Sequence, residues 1–163
     1  MQVNLARDED LPVINKIYNQ AVGELCCTAH LKPVDMAYRR RWFEAHPPDR
    51  YPVFVARVDS LVAGWISLGP YRPGRQALAH VAEVSYYVDA DYRNRGIGLA
   101  LMTHAVNATP GLGITVLVAI LLDRNPASIG LLEKFGFQRW GIMPGIARIG
   151  TETADHLYYG LKL

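Results

Sequence analysis

The stretch Arg93-Asn94-Arg95-Gly96-Ile97-Gly98 lies between a strand-like run, Val84 to Val88, and a helix-like run, Leu99 to Ala108. The first turn of a helix carries N–H groups without intrahelical partners and the positive end of the helix dipole, so it binds phosphate readily. The two glycines allow close backbone approach, and the two arginines add positive charge. This order predicts a pyrophosphate site. The six residues alone also fit a glycine-rich turn with solvated arginines, because Gly-x-Gly motifs are short.

The context of this stretch carries a resemblance to a known family. Arg-x-x-Gly-x-Gly between a strand and a helix is similar to the acetyl-CoA pyrophosphate loop of the GCN5-related N-acetyltransferases, and Ala82 to Val88 resembles the preceding strand in their phosphinothricin and methionine sulfoximine branch. Further segments follow that branch's order and spacing: Ile17-Tyr18-Asn19, Ala21-Val22, Trp42-Phe43, Pro52 to Ala56, Gly64 to Ser67, Asn125 to Ser128 and Glu133 to Phe137. The resemblance spans nearly the whole chain. It implies transfer of an acetyl group from acetyl-CoA to the amine of a small molecule.

Length and composition are those of an ordinary globular protein. With 163 residues, 50% of them apolar and 20% charged, we expect a single domain over residues 1–163 and no disorder. The net charge is only +2, and the densest basic run, Arg39-Arg40-Arg41, is interpreted as a solvated helix face, so nucleic acid is not an expected partner. The longest apolar run, Ile114 to Leu122, is too short to span a membrane and predicts a buried strand. The N-terminus has no secretory pattern, so we expect a cytoplasmic protein.

Cysteine and histidine give no sign of a metal site. Cys26 and Cys27 are adjacent, which disfavours a mutual disulfide, and no other cysteine is present, so reduced thiols are expected. The five histidines are scattered and lack metal-ligand spacing. No metal is therefore predicted.

Apolar periodicity and turn residues predict the order of elements. Helical spacing predicts helices over Asp8–Val22 and Val34–Ala45, the second ending before His46-Pro47-Pro48. The elements predicted after them are a hairpin of Pro52–Val58 and Leu61–Leu68, a loop over 69–79, a strand ending at Val88, a helix over 96–108, a strand over 113–122, a helix over Pro126–Lys134, and strands over Phe137–Met143 and Thr153–Leu161. With the resemblance, this order predicts an α/β fold of mixed α+β character. Its central sheet has six to seven mostly antiparallel strands, with helices on both faces.

The cofactor site implied by the resemblance begins in the strand before the glycine loop. Amides from Arg95 to Ala100 would face the pyrophosphate, and the strand end would lie along the pantetheine and thioester and supply oxyanion donors. Asn125 matches the family position that contacts the pantetheine arm, although an Asn before Pro is also a typical helix cap. The predicted acetyl-CoA-binding residues are Tyr87, Val88, Asp89, Arg93, Arg95, Gly96, Ile97, Gly98, Leu99, Ala100 and Asn125.

Glu83 is the candidate catalytic base. It interrupts an apolar strand, where partial desolvation raises a carboxyl pKa toward neutrality, and the family's proposed glutamate sits at this position. A structural salt bridge is the alternative. Many members of the superfamily protonate the leaving thiolate with a tyrosine in a Leu-Tyr-Glu-Lys run, but this chain has Leu131-Leu132-Glu133-Lys134. No general acid is therefore assigned.

The acceptor site is less well defined by the sequence. The resemblance implies substrate contacts from Arg75, Gln76, Val84, Ser85 and Tyr86, and Arg75 is either a carboxylate clamp or a solvated loop residue. Thr28 and Ala29 match a Thr-Ala pair of the branch and either wall the acceptor site or simply connect two helices. The branch often has Tyr and Thr where this chain has Leu78 and Val81, and the segment 150–155 also departs from it, which leaves phosphinothricin itself uncertain as a substrate.

Two other functions compete with acetyl transfer. Gly96-x-Gly98 after a strand also resembles a dinucleotide motif, but its third small residue would fall at Leu101, and two helices and a hairpin precede it. A non-catalytic acyl-CoA sensor would keep the cofactor site, although the presence of Glu83 disfavours it. The branch also implies a homodimer, for which the residues themselves give no evidence.

Overall fold

The computed structural model describes residues 1–163 and contains seven strands and four α-helices. The strands are β1 (Gln2–Leu5), β2 (Val53–Val58), β3 (Leu61–Pro70), β4 (Val81–Val88), β5 (Val116–Leu122), β6 (Gln138–Ile149) and β7 (Glu152–Lys162). The helices are α1 (Leu11–Gly23), α2 (Met36–Glu44), α3 (Ile97–Ala108) and α4 (Pro126–Lys134). All strands join one sheet in the order β1-β2-β3-β4-β5-β7-β6. Only β4 and β5 pair in parallel, so the predicted mostly antiparallel mixed sheet is confirmed.

The helices begin where local chemistry supports a helix start. α1 has Pro12 in its first turn, where a missing N–H costs nothing. α2 is capped by Asp35, whose carboxylate accepts a hydrogen bond from Tyr38 N–H at 2.7 Å. The four predicted helices are all present, and their ends lie within three residues of the predicted ends. The largest difference is at the start of α1, because Asp8–Asp10 form a short 3₁₀ turn ahead of it. None of these helices combines the length and apolarity needed to cross a bilayer.

Apolar side chains pack on both faces of the sheet. The larger cluster joins α3 and α4 to one face, with Ile97, Leu101 and Leu132 buried against the strands. The smaller cluster joins α1 to the other face, with Trp42 and Phe43 of α2 packed against it. The helices thus cover both faces, as expected. These two layers hold β4 and β5, at the centre of the sheet, in fixed positions.

Three features differ from the sequence predictions. β1 was not anticipated, because a four-residue edge strand gives little periodic signal. β6 continues to Ile149 rather than Met143, since an irregularity in its pairing between Met143 and Ala147 accommodates Pro144. Arg39 is 2% exposed, so the interpretation of Arg39-Arg40-Arg41 as a solvated face is wrong for its first residue.

The parallel pair β4–β5 is short. Only Val81–Glu83 of β4 pair with Val116–Val118 of β5, although both strands continue beyond these residues. After Glu83 the two strands separate, and the edges that face each other have no strand opposite them. N–H and C=O groups on these edges are therefore available to a ligand.

Candidate active site

Two cavities meet at the gap between β4 and β5. Cavity I, of about 420 Å³, contains the side chain of Glu83 and is walled by α2, β3 and the segment after α1. Cavity II, of about 510 Å³, lies between the far ends of β4 and β5 and the N-termini of α3 and α4. Residues that line both cavities are Cys27, Ser85, Tyr87, Ile120 and Leu121. A ligand extended through cavity II would reach cavity I at this junction.

The glycine loop presents free amides to cavity II. Gly96 caps α3 with φ +77°, a conformation that glycine adopts without a Cβ penalty. The N–H groups of Gly96 to Leu99 donate to no protein acceptor. Ala100 differs from the prediction, because its N–H donates to the carbonyl oxygen of Gly96 at 3.0 Å. The unpaired donors therefore end at Leu99, and they suit an anion such as a diphosphate.

Eight of the eleven predicted cofactor residues line cavity II. They are Tyr87, Val88, Arg93, Gly96, Ile97, Gly98, Leu99 and Asn125. Arg93 also pairs with Glu24, with Nη2 and Oε1 2.5 Å apart, and Asn125 also caps α4 by accepting from Ser128 N–H at 3.1 Å. The interpretation of Asn125 as a helix cap and its place in the cavity are thus compatible.

The other three predicted cofactor residues do not line the cavity. Asp89 is buried, forms an ion pair with Lys16 at 3.5 Å and accepts from Asp91 N–H. The Arg95 guanidinium lies over the Tyr92 ring, 5.3 Å from its centroid. The Ala100 N–H is part of the helix hydrogen-bonding pattern.

Glu83 lies in cavity I at the last paired position of β4. Its side chain is half-buried and makes neither an ion pair nor a hydrogen bond, so the alternative of a structural salt bridge does not describe it. Burial raises the pKa of Glu83 because the ionised carboxylate is desolvated. It is the only carboxylate that lines this cavity. Such a group can accept a proton from a bound ammonium.

The predicted substrate residues are divided among three places. Ser85 lines both cavities, whereas Val84 and Tyr86 line cavity II. The Tyr86 hydroxyl donates to the Ser128 carbonyl at 3.2 Å, and burial raises its pKa to about 12. Arg75 and Gln76 lie in the loop before β4 and line a separate cavity of about 340 Å³. The structure therefore does not bring Arg75 to the cavity that holds Glu83.

The wall of cavity I includes residues that are not among the predicted catalytic, cofactor or substrate residues. Thr28 and Ala29 line it, as one interpretation of that pair expected. Arg39, Trp42 and Trp65 line cavity I as well. Only helical spacing could have identified Arg39 from the sequence, because it is three residues before Trp42 and lies on the same helix face. An arginine inside a run of three arginines otherwise resembles a solvated residue.

No tyrosine occupies the superfamily's general-acid position. Leu132 is there and is buried in the core beside cavity II. Tyr87 and Cys27 place a hydroxyl and a thiol at the junction of the cavities, and burial raises the pKa of both groups, which keeps them protonated. The Cys26 and Cys27 sulfur atoms are 3.1 Å apart, with Glu24 close by.

Comparisons with known proteins identify the family and its relatives. The model of the acetyltransferase (GNAT) family matches residues 17–137. The L-methionine sulfoximine/L-methionine sulfone acetyltransferase of Pseudomonas paraeruginosa is 37% identical over 155 residues, covering 94% of this chain and 90% of that protein.

Two solved structures are similar over the whole chain. A ribosomal-protein-alanine N-acetyltransferase from Brucella melitensis has a TM-score of 0.94 and 31% identity, with 100% of each chain covered. A phosphinothricin acetyltransferase from Sinorhizobium meliloti in complex with AcCoA has a TM-score of 0.93 and 26% identity, covering 99% of this chain and 88% of that one. These relatives share a fold while their names give different acceptors.

Proposed function

The chain belongs to the acetyltransferase (GNAT) family, and from this we propose that it transfers acetyl from acetyl-CoA to the primary amine of a small molecule, an amino acid or amino-acid analogue. One observation carries the proposal: the half-buried carboxylate of Glu83 lies in cavity I, the proposed acceptor cavity, and this cavity shares Ser85 and Tyr87 with cavity II, which the free amides of the glycine loop line. The cofactor and acceptor sites are thereby connected. The mostly antiparallel sheet disfavours dinucleotide binding, which uses a parallel doubly wound sheet.

The proposed reaction is a direct transfer. Glu83 takes a proton from the acceptor's ammonium, directly or through water, and the free amine nitrogen then attacks the carbonyl carbon of the thioester. The new C–N bond forms, the C–S bond breaks, and CoA leaves as a thiolate that takes up the second proton lost by the nitrogen, directly or through water. No covalent enzyme intermediate is required. The raised pKa of Glu83 suits this role, because a base works best when its pKa approaches the operating pH.

The proposed acetyl-CoA site follows the free backbone donors. The unpaired N–H groups of Gly96 to Leu99 suit the diphosphate, and the open edge of β4 beyond Glu83 offers N–H groups to the oxygen that becomes negative during attack. Val88 and Asn125 line the path between them. Donors fixed in a strand need no reorganisation as charge develops, which is the basis of oxyanion stabilisation.

The decisive experiment measures CoA thiol release with a panel of amines. Methionine sulfoximine, methionine sulfone, phosphinothricin and polyamines are the first members, and acetylated product is identified by mass. We expect turnover with at least one amino-acid analogue, and acetyl-CoA but not a nicotinamide dinucleotide should raise the melting temperature. Stabilisation by acetyl-CoA with no acetylated amine across the panel would contradict the proposed amino-acid acetyltransferase activity.

We also propose that the protein is a homodimer. The end strand β6 exposes four large apolar side chains, Trp140, Ile142, Met143 and Ile146, each 45–58% exposed. An exposed apolar edge of this kind is a typical association surface. Light scattering on the purified protein should give twice the monomer mass, and Ile142→Glu should shift it to the monomer. A wild-type monomer at micromolar concentration would exclude the dimer.

Two further parts of the proposal concern organisation and location. We propose that residues 1–163 act as one domain, since every strand joins the same sheet, and limited proteolysis should then give no stable sub-fragment.

We propose the cytoplasm as the site of action, because acetyl-CoA is an intracellular metabolite. Cell fractionation tests this, and recovery outside the cytoplasmic fraction would contradict it.

A further inference from the structure

Two residues that line cavity I each have a buried hydrogen-bond donor without a partner. They are Arg39 Nη2 and Trp65 Nε1, and they are the only buried side-chain nitrogen or oxygen atoms in the protein without a hydrogen bond. Both residues line cavity I and are almost fully buried, with exposures of 2% and 1%. The Arg39 guanidinium carbon is 5.5 Å from the Trp65 ring centroid. An unpartnered buried donor is costly, and two neighbouring ones call for a shared acceptor.

The surroundings of Arg39 hold its guanidinium in place but provide no negative charge. Its Nε donates to Asn15 Oδ1 at 3.2 Å, and its guanidinium carbon lies 4.5 Å and 4.6 Å from the ring centroids of Tyr18 and Trp42. No carboxylate pairs with it. A buried cation without an anion carries a large desolvation cost, which aromatic contacts offset only in part.

None of the other titratable groups of cavity I forms an ion pair with Arg39. Burial lowers the pKa of His46 and of His156, which favours neutral imidazoles. Glu83 forms no ion pair with Arg39 or with any other cation. The cavity therefore offers one cation and one carboxylate, both unpaired. A small molecule with an ammonium and an anionic group complements both.

We infer that Arg39 Nη2 and Trp65 Nε1 bind an anionic group of the acceptor while its amine lies at Glu83. This inference rests on the proposed acetyl transfer and adds the part of the acceptor that the site recognises. The guanidinium supplies charge and the indole supplies a second N–H, so a carboxylate or phosphinate oxygen can satisfy both donors. An acceptor with an amine but no anion would leave them unpaired, and the site discriminates against it.

The test compares variants that each remove one donor. Arg39→Met keeps an unbranched apolar stem and removes the guanidinium, Trp65→Phe removes the indole N–H, and Arg40→Met, at the exposed neighbouring position, is the control. For an acceptor that carries the bound anion we expect KM to rise at least tenfold in Arg39→Met and about fivefold in Trp65→Phe, with little change in Arg40→Met. The KM for acetyl-CoA should stay within twofold in all three variants.

The acceptors identify the anion. If the α-carboxylate is bound, the carboxamide of L-methionine sulfone is a poor wild-type acceptor, and Arg39→Met changes its KM less than twofold. If a distal anion is bound, Arg39→Met raises the KM for phosphinothricin and leaves the KM for methionine sulfone unchanged. Two results in Arg39→Met would overturn the inference. One is an equal KM change for methionine sulfone and its carboxamide with no larger change for phosphinothricin, and the other is an unchanged KM for every acceptor. Either result would show that the two donors bind water or stabilise the fold and do not bind the acceptor.

A binding measurement separates this inference from the proposed reaction. Trp42 and Trp65 flank Arg39, so tryptophan fluorescence should report binding of methionine sulfone or phosphinothricin to the protein saturated with CoA, without turnover. We expect Arg39→Met to weaken binding of at least one of them tenfold or more, and Arg40→Met to leave binding intact. If the wild-type protein binds these compounds but does not acetylate them, the proposed acetyl transfer is refuted and the anion site is not. If Arg39→Met is unfolded by circular dichroism, Trp65→Phe decides.

Discussion

The replacement Glu83→Gln tests the proposed chemistry most directly. It keeps the size of the side chain and removes the only carboxylate of cavity I. Since the residue makes no ion pair or hydrogen bond, the substitution leaves no protein group without its partner. We therefore expect a folded protein with a changed turnover number. A positioned general base contributes about 10²–10⁴ in rate.

The expected loss in kcat is at least tenfold, or about 1.4 kcal/mol or more in activation free energy. Glu83 lines cavity I and not cavity II, so affinity for acetyl-CoA should change little. The assay is CoA thiol release at saturating acetyl-CoA, with calorimetry of acetyl-CoA binding alongside. Glu44→Gln, at the exposed end of α2, is the matched control and should retain full turnover. An unchanged kcat in Glu83→Gln would refute its role as base.

Burial of Glu83 also predicts the pH dependence of rate and stability. Wild-type kcat should fall as the pH decreases through the raised pKa of the carboxyl, and Glu83→Gln should lose this limb. A raised folded-state pKa contributes stability that is complete below the unfolded pKa and is lost as the pH rises through the folded one. Glu83→Gln should therefore gain melting temperature relative to wild type at pH 8, and the gain should vanish below pH 4.5. A larger gain in acid would contradict this sign.

Two glycine substitutions test the packing around the cofactor cavity. In Gly98→Ala the new Cβ would lie 3.1 Å from Leu131 Cδ2 and would push that side chain into cavity II. We therefore expect the KM for acetyl-CoA to rise about threefold. Gly130→Ala is the control, because a Cβ there has no atom within 4 Å, and it should leave this KM unchanged. In Gly64→Ala the Cβ would lie 2.9 Å from the Tyr87 carbonyl oxygen, a backbone atom, so urea unfolding should show a loss of about 1–3 kcal/mol. Wild-type stability in Gly64→Ala would contradict the close contact between β3 and β4.

The sequence predicted the elements and the free amides of the glycine loop because both depend on local signals. Helical and strand periodicity located all four helices, and the glycine loop before a helix predicted free amides that the structure contains up to Leu99. The separation of β4 and β5 was not predictable, since it depends on where pairing stops between strands that are distant in sequence.

The acceptor site was harder to predict for the same reason. Arg39 reaches cavity I because α2 packs on the sheet beside Trp65, and no local pattern records that contact. Arg75 matched a family position but lies in a loop that lines a different cavity. Sites assembled from several elements require the tertiary arrangement, whereas a loop that binds through its own backbone does not.

The short pairing between β4 and β5 also has a mechanical consequence. Three residue pairs form the seam between the two halves of the sheet, β1 to β4 and β5 to β7. Amide hydrogens along this seam should exchange with solvent faster than those of Gly64–Ser67 in β3, which pair with a strand on both sides. A ligand that fills the gap would join the halves and slow that exchange on both sides at once, so the protein should stiffen as a whole when its thioester substrate binds.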